Sequence, residues 1–155
     1  MSTLAEKVQR DLIQAIDNDD LVLPTLPEVA LKVREAAEDD LEDGSVWTEM
    51  QVDPSGYAAK FGGITSFIEL VLDAVSTATA ETGLNMSIVI AANRIRHPLD
   101  ARTLARLAAK FAGRGVHGFG RSNDERRGDT ADFAAAFAIA ERAGLKLVPH
   151  GGELR

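Results

Sequence analysis

The segment MSIVIAANR, residues 86–94, decides the fold. It is an almost uninterrupted apolar run of strand length, which indicates a strand buried on both faces. Residues from about 65 to 82 have the spacing of an amphipathic helix, and Gly83 is a typical helix stop. Another helix is predicted from about 100 to 112. A buried strand between two helices is typical of a parallel sheet whose strands are connected by helices.

The same alternation continues on both sides of this segment. Strands are predicted at VWTEMQV, VHGFG and LKLVPH, which are residues 46–52, 116–120 and 145–150. A helix from Asp129 or Thr130 to Arg142 separates the last two strands, and Gly144 ends it. Together with two N-terminal helices, the order is αα followed by βαβαβαβ. We therefore predict an α/β fold with a four-stranded parallel sheet and right-handed crossovers.

Local signals predict where the helices begin and what the aromatic residues do. Ser66 and Glu69 have the spacing of a capping box, and Asp100 is a predicted N-cap of the next helix. Trp47 and Phe67 are predicted to lie in the core, since isolated aromatic residues in apolar segments are usually buried.

The N-terminal part of the chain has a different character. A helix is predicted from Thr3 to about Asp17, followed by extended Leu21–Leu23 and a second helix that begins at Leu26 or Pro27. The acidic, glycine-containing segment EDDLEDGS (38–45) is predicted to be a linker.

Composition excludes several classes of protein. The 155 residues fit one ordinary domain, and the chain has no cysteine, so disulfides and thiolate metal sites are excluded. Since no apolar run of about 18 residues occurs, we expect a soluble chain that can be expressed in the cytoplasm and has no membrane partner. Residues 1–45 carry twelve acidic and four basic side chains, against twelve and thirteen in the remainder. This balance argues against nucleic-acid binding, and the asymmetry suggests a junction near residue 45.

Polar residues follow the predicted strands and would gather at the carboxyl edge of the sheet. They are Asp53, Asn93, Arg94, Ser122 to Glu125, His150 and Glu153. Such an edge is where α/β proteins place their sites, although loops are polar in any case. Arg94 and Arg96 are expected to pair with Asp53 or Asp124, and a phosphate site is the alternative.

The segment LPTLPEVA (23–30), with Leu31 and Val33, resembles the opening of HDOD domains, which are helical modules of bacterial signalling proteins. The resemblance covers about residues 5–40. It implies two packed helices without an activity of their own.

From Val46 onward the chain resembles bacterial adenosine deaminases, which are zinc-dependent TIM barrels. The resemblance rests on TEMQVDPSGYAAKFGGIT, IVIAANRIRHPLDARTLARLA, GVHGFGRSNDERRG, DFAAAFAIAERAGL and LVPHGGE. HGGE corresponds to the HAGE motif of the family, in which His is a zinc ligand and Glu is the proton shuttle acting on the purine. The resemblance therefore implies that His150 would be the ligand and Glu153 the acid/base.

The chain also departs from that family. The His-x-His zinc pair, another catalytic His and an Asp-Asp pair of the family have no counterpart, and Gly120 and Asn123 stand where an Asp and a substrate-binding Gly are usual. His97 and His117 do not match ligand positions, and a catalytic zinc normally has three protein ligands. We therefore expect His150 and Glu153 to be vestigial, with no cofactor and no enzymatic activity.

Two partial resemblances suggest an artificial chimera of residues 1–44 and 45–155, and a truncated natural pseudoenzyme is the alternative origin. Four strands would be half a TIM barrel with an exposed apolar sheet face. We expect the N-terminal helices to cover that face, opening the half-barrel into a layered α/β sheet within one folded unit, or a second copy to cover it in a homodimer.

Three functions remain open for the chain. The first is a folded scaffold without enzymatic activity or small-molecule substrate. The second is a residual or dimer-completed zinc-dependent hydrolase of the deaminase type. The third is a natural interaction module that uses the acidic helices.

Overall fold

A computed structural model describes residues 25–153. The predicted helix at 3–17 and the extended segment at 21–23 lie outside these residues. The helices are α1 (Leu26–Glu42), α2 (Ile64–Thr82), α3 (Pro98–Lys110) and α4 (Ala134–Arg142). The strands are β1 (Trp47–Val52), β2 (Asn85–Asn93), β3 (Val116–Ser122) and β4 (Lys146–Pro149). Short 3-10 helices occur at Pro54–Gly56 and Thr130–Phe133.

The four strands form one parallel sheet, as the sequence predicts, and their order in that sheet is β1-β2-β3-β4. This order follows from each connecting helix returning the chain to the neighbouring position in the sheet. None of the described helices is long and apolar enough to cross a membrane.

The chain divides into two compact units. The first contains residues 25–48 and 55–86, and in it α1 packs against α2. The buried side of α1 is Val29, Val33 and Ala37, which are spaced four residues apart and therefore share one face. Arg34 adds ion pairs to Glu38 at 2.8 Å and to Glu81 of α2 at 3.6 Å.

Helix ends in this unit differ from the predicted ones. Glu28 accepts the backbone N–H of Thr25 in a capping box, and α1 continues to Glu42, so most of the predicted linker at 38–45 is helical. At α2 the predicted capping box of Ser66 and Glu69 is wrong, because the N-cap is Gly63, at φ +123°, three residues before Ser66. Gly83, at φ +80°, ends α2 as predicted.

The aromatic predictions are half right. Phe67 is buried and stacks on Tyr57, with ring centroids 4.7 Å apart. Trp47 is 49% exposed, so its assignment to the core is wrong. The physical reason is its position at the first residue of β1, which is an edge strand and is covered on fewer sides than a central strand.

The second unit contains residues 49–54 and 87–153, and it holds most of the sheet. In it α3 packs against α4, and small alanines such as Ala105, Ala108, Ala136 and Ala140 are fully buried. Phe119 of β3 meets Phe137 of α4 edge to face at 5.3 Å. The predicted N-cap Asp100 is wrong: His97 caps α3, and its Nδ1 accepts the N–H of Leu99.

Two faces of β3 have opposite character. Phe119 and Arg121 point to the side that carries Phe133 and Phe137. Gly118 and Gly120 alternate with them, and a Cβ on Gly120 would lie 2.7 Å from the carbonyl oxygen of Val148. Only glycine fits there, because β4 approaches the backbone of β3 closely on that side.

Candidate active site

The candidate site lies where β3 and β4 end at the carboxyl edge of the sheet. The two strands are parallel neighbours, with Arg121 opposite Pro149 in the register. The pairing extends one step further, since the N–H of His150 donates to the carbonyl of Arg121 at 3.0 Å. The loops after the two strands therefore lie side by side.

His150 and Glu153 form a hydrogen-bonded pair in the second of these loops. Nε2 of His150 lies 2.9 Å from Oε2 of Glu153. The His150 side chain is 36% exposed and that of Glu153 is 68% exposed. The carboxylate therefore faces water while its orientation is set by the imidazole, which is what an acid/base that exchanges protons with a substrate requires.

Glu125 connects the first loop to this pair. Its Oε2 accepts a hydrogen bond from the backbone N–H of Gly152 at 2.6 Å. Gly152 lies between His150 and Glu153 in the sequence. Gly152 has a φ of +82°, a conformation that glycine adopts without strain. A carboxylate from the β3 loop thus holds the backbone that carries Glu153. Glu125 is predicted to lie at this edge, but its role is not predictable from the sequence, because no local pattern reveals a contact across 27 residues.

The loop that presents Glu125 has a fixed local shape. Asn123 adopts a φ of +78°, and its Oδ1 accepts the N–H of Asp124 at 2.7 Å. The carboxylate of Asp124 accepts hydrogen bonds from Nε and Nη2 of Arg126, both at 2.9 Å, and from the backbone N–H of Arg126. The side-chain and then the backbone hydrogen bonds of Arg126 lower the pKa of Asp124 to about 2. Asp124 is thus held by Arg126, which corrects the expected pairing with Arg94 or Arg96.

The other polar residues of the edge have separate roles. Oδ1 of Asn93 accepts the N–H of Ile95 and shapes the turn after β2. Asp53 follows β1, which lies at the opposite end of the strand order from β4. The sheet therefore does not bring Asp53 beside His150.

The remaining histidines lie away from this pair. His97 caps α3, and His117 of β3 lies 3.6 Å from Glu49 of β1. Among residues 25–153, no group of three or more His, Cys, Asp or Glu side chains is arranged to hold a metal ion. His150 and Glu153 offer two donors, so the described residues do not by themselves make a three-ligand zinc site.

Solved structures share this fold. The chain superposes on an amidohydrolase from Burkholderia ambifaria with bound zinc, with a TM-score of 0.77, 19% identity and coverage of 84% of this chain and 36% of that chain. An adenine deaminase from Arthrobacter aurescens gives a TM-score of 0.75, 23% identity and coverage of 86% and 41%. At these identities the likeness concerns the fold, which is part of the TIM-barrel fold of amidohydrolases.

Relatives of higher identity are found by sequence. A Streptomyces coelicolor protein, provisionally named adenosine/adenine deaminase, is 58% identical over 132 residues, which are 85% of this chain and 38% of that protein. A Streptomyces virginiae protein of the same name is 62% identical over 122 residues, 79% of this chain and 36% of the relative. An adenine deaminase of Agrobacterium fabrum is 31% identical over 114 residues, which are 73% of this chain and 35% of that protein. The chain thus spans somewhat more than a third of these relatives.

The comparisons correct two expectations. The family model described as adenosine deaminase matches residues 6–155 and crosses the suggested junction at 45, so the chimera and the HDOD origin of the first helices find no support. The expectation of no enzyme is wrong, because relatives up to 62% identical are named as deaminases. Its physical flaw was to infer lost chemistry from partners not seen in a chain that covers about a third of those relatives. The chain belongs to the adenosine deaminase family.

Proposed function

We propose that the chain supplies part of the active site of a hydrolase that deaminates the purine ring shared by adenosine and adenine. Water adds to the ring carbon that bears the amino group, the carbon–nitrogen bond breaks and ammonia leaves. Glu153 is the acid/base that moves the protons between water, ring and leaving amine. The observation that supports this role most directly is the 2.9 Å contact between Nε2 of His150 and Oε2 of Glu153 at the carboxyl edge of the sheet.

The imidazole and the carboxylate have distinct parts in this proposal. His150 orients Glu153 and, by resemblance to the HAGE motif, stands at a zinc-ligand position. Zinc, when bound, would supply an acidified water in such an enzyme. Since the described residues offer too few ligands, the further ligands would come from outside residues 25–153. We therefore propose roles only for His150, Glu153 and Glu125.

A graft into a relative tests the role of Glu153. Residues 25–153 of this chain replace the corresponding segment of the Streptomyces coelicolor protein, and ammonia release is measured with adenosine and with adenine. We expect the graft to deaminate at least one of them. Glu153→Gln, which keeps the shape but removes the base, should lower kcat by roughly 10²–10⁴-fold.

Glu141→Gln is the matched control, because Glu141 is an exposed glutamate near the end of α4, away from the site. It should leave kcat unchanged. A folded graft without activity, or an active graft that is insensitive to Glu153→Gln, would contradict the proposal.

A second candidate property is self-association through β4. This strand pairs with β3 on one side only, and Leu147 and Val148 are 43% and 38% exposed. An apolar edge strand of this kind is free to pair with another strand. Light scattering should show a dimer that Val148→Lys converts to a monomer, whereas a monomeric unmodified chain would refute the idea.

A further inference from the structure

Two arginines are buried side by side beneath the loop that follows β3. Arg94 and Arg121 are each only 4% exposed. Ala92 lies opposite Arg121 in the register of β2 and β3. Arg94 directly follows β2, but its N–H still donates to the carbonyl of Ser122 at 3.2 Å, so the alternation of the strand places it on the side of Arg121, whose pKa its charge lowers. This is the side of Phe133, whose ring lies 5.4 Å below the guanidinium of Arg121.

Neither guanidinium has hydrogen-bond partners for all of its nitrogen atoms. Nε and Nη1 of both arginines are buried without a hydrogen-bond partner among the described residues. The Nη2 of Arg121 donates to the hydroxyl of Thr130 at 2.9 Å, which is a neutral acceptor. Asp129 acts favourably on Arg121 through its charge, but its Oδ1 accepts the N–H of Ala131 instead.

The charges of the two arginines also oppose each other. Burial, and then the neighbouring charge of Arg94, lower the pKa of Arg121. Arginine stays protonated in proteins, so the pair cannot relieve this repulsion by losing a proton. The single nearby carboxylate, that of Asp129, stands against two buried positive charges, and buried charges that are not fully paired destabilise a fold. A further negatively charged partner would therefore stabilise the pair.

We propose that Arg94, Arg121 and Thr130 form a binding site for a free inorganic oxyanion of the phosphate class. The guanidinium plane matches a tetrahedral oxyanion, and each arginine offers unpartnered N–H groups on two edges, at Nε and at Nη1, so that one edge of each can bind the anion. The cover is thin, since Arg127 to Thr130 are exposed and Gly128 lies against the carbonyl of Arg94. The site faces away from Gly118 and Gly120, so its anion is not part of the substrate proposed above.

Free phosphate is favoured over a phosphate ester by the burial of the pair. With 4% of each arginine exposed, an ester group attached to the anion would have no path to solvent that avoids the covering loop. The full chain is therefore titrated calorimetrically with inorganic phosphate and with adenosine monophosphate at constant ionic strength. Constant ionic strength separates binding from charge screening.

We expect one phosphate to bind per chain and the ester to bind more weakly. Arg121→Lys, which keeps the charge but loses the fork, should weaken phosphate binding by roughly tenfold. Arg121→Leu should abolish it and leave the chain at least as stable in phosphate-free buffer, because apolar replacement of a buried charge is often stabilising. Arg106→Gln, on the exposed side of α3, is the control that should not alter binding.

Three outcomes would overturn the site. They are no phosphate binding to the unmodified chain, tighter binding of the ester than of phosphate, and equal binding by Arg121→Leu and the unmodified chain. The first would mean that water alone solvates the pair. If Arg121→Leu does not fold, the phosphate affinities of Arg121→Lys and Arg106→Gln are compared, and equal affinities would overturn the site.

Discussion

The loop after β4 and the layer beneath the loop after β3 carry charge in opposite ways. Glu153 is exposed yet has a partner at 2.9 Å, and its backbone is tied down by Glu125. Arg94 and Arg121 are buried, yet four of their nitrogens have no partner. The difference shows that the exposure of a charged side chain does not determine whether it has a hydrogen-bond partner. Water stabilises the exposed pair without help, whereas the buried pair depends on a bound counter-charge.

The largest effect is expected at Gly128, which covers the buried pair. It has a φ of +71°, and an added Cβ would collide with the backbone carbonyl of Arg94. Gly128→Ala should therefore lower the free energy of unfolding by roughly 3 kcal/mol, because backbone strain and a clash with unyielding atoms combine. Urea unfolding measures this change.

Gly144→Ala is the matched control for that substitution. Gly144 has a φ of +77° but no atom within 4 Å of the added Cβ. Gly144→Ala should therefore lower the free energy of unfolding only by the conformational strain, about 1–2 kcal/mol. Equal losses of unfolding free energy in the two variants would show that the loop moves to avoid the clash between the added Cβ and the carbonyl of Arg94.

The next effect concerns the tie between Glu125 and Gly152. In the active graft described above, Glu125→Ala should lower kcat by roughly 10–100-fold, since partners that orient a functional loop typically contribute this much. Glu125→Gln keeps an oxygen acceptor and should recover most of the loss, with KM unchanged. Equal loss in both variants would mean that the charge of Glu125 matters rather than its hydrogen bond to Gly152.

Sequence predicted the order of elements but only part of the site. The strand at 86–94 and the helix stop at Gly83 are local signals, since a buried apolar run and a left-handed glycine need no distant information. The site contact of Glu125 with Gly152 depends on the register of β3 and β4, which one sequence does not reveal. Nε and Nη1 of Arg94 are buried without a partner because the loop folds over them, and the pairing with an acid that the sequence led us to expect is not found there.

A smaller effect should appear at acid pH through Asp124, in the loop that separates the two regions. Its pKa is about 2 in the folded chain and near 3.8 ordinarily, so folding favours the ionised form. The resulting stability is fully present above about pH 4 and is lost as the pH falls towards 2. Asp124→Asn should therefore flatten the decline of Tm in this window. Arg126→Gln, which removes the partner, should flatten it similarly, and an unchanged slope in both would exclude this ion pair as the cause.

The smallest effect is expected for the stability contribution of the exposed pair itself. Glu153 is 68% exposed, so water replaces the imidazole as its partner when the contact is removed. Glu153→Gln should change the free energy of unfolding by no more than about 0.5 kcal/mol, as for other exposed pairs. Chemical unfolding at neutral pH measures this change, and the same substitution tests activity in the graft. Small loss of stability with large loss of kcat would separate the chemical role of Glu153 from a structural one. A loss of several kcal/mol would instead mean that the pair holds the fold, and the contrast between the exposed pair and the buried arginines would disappear.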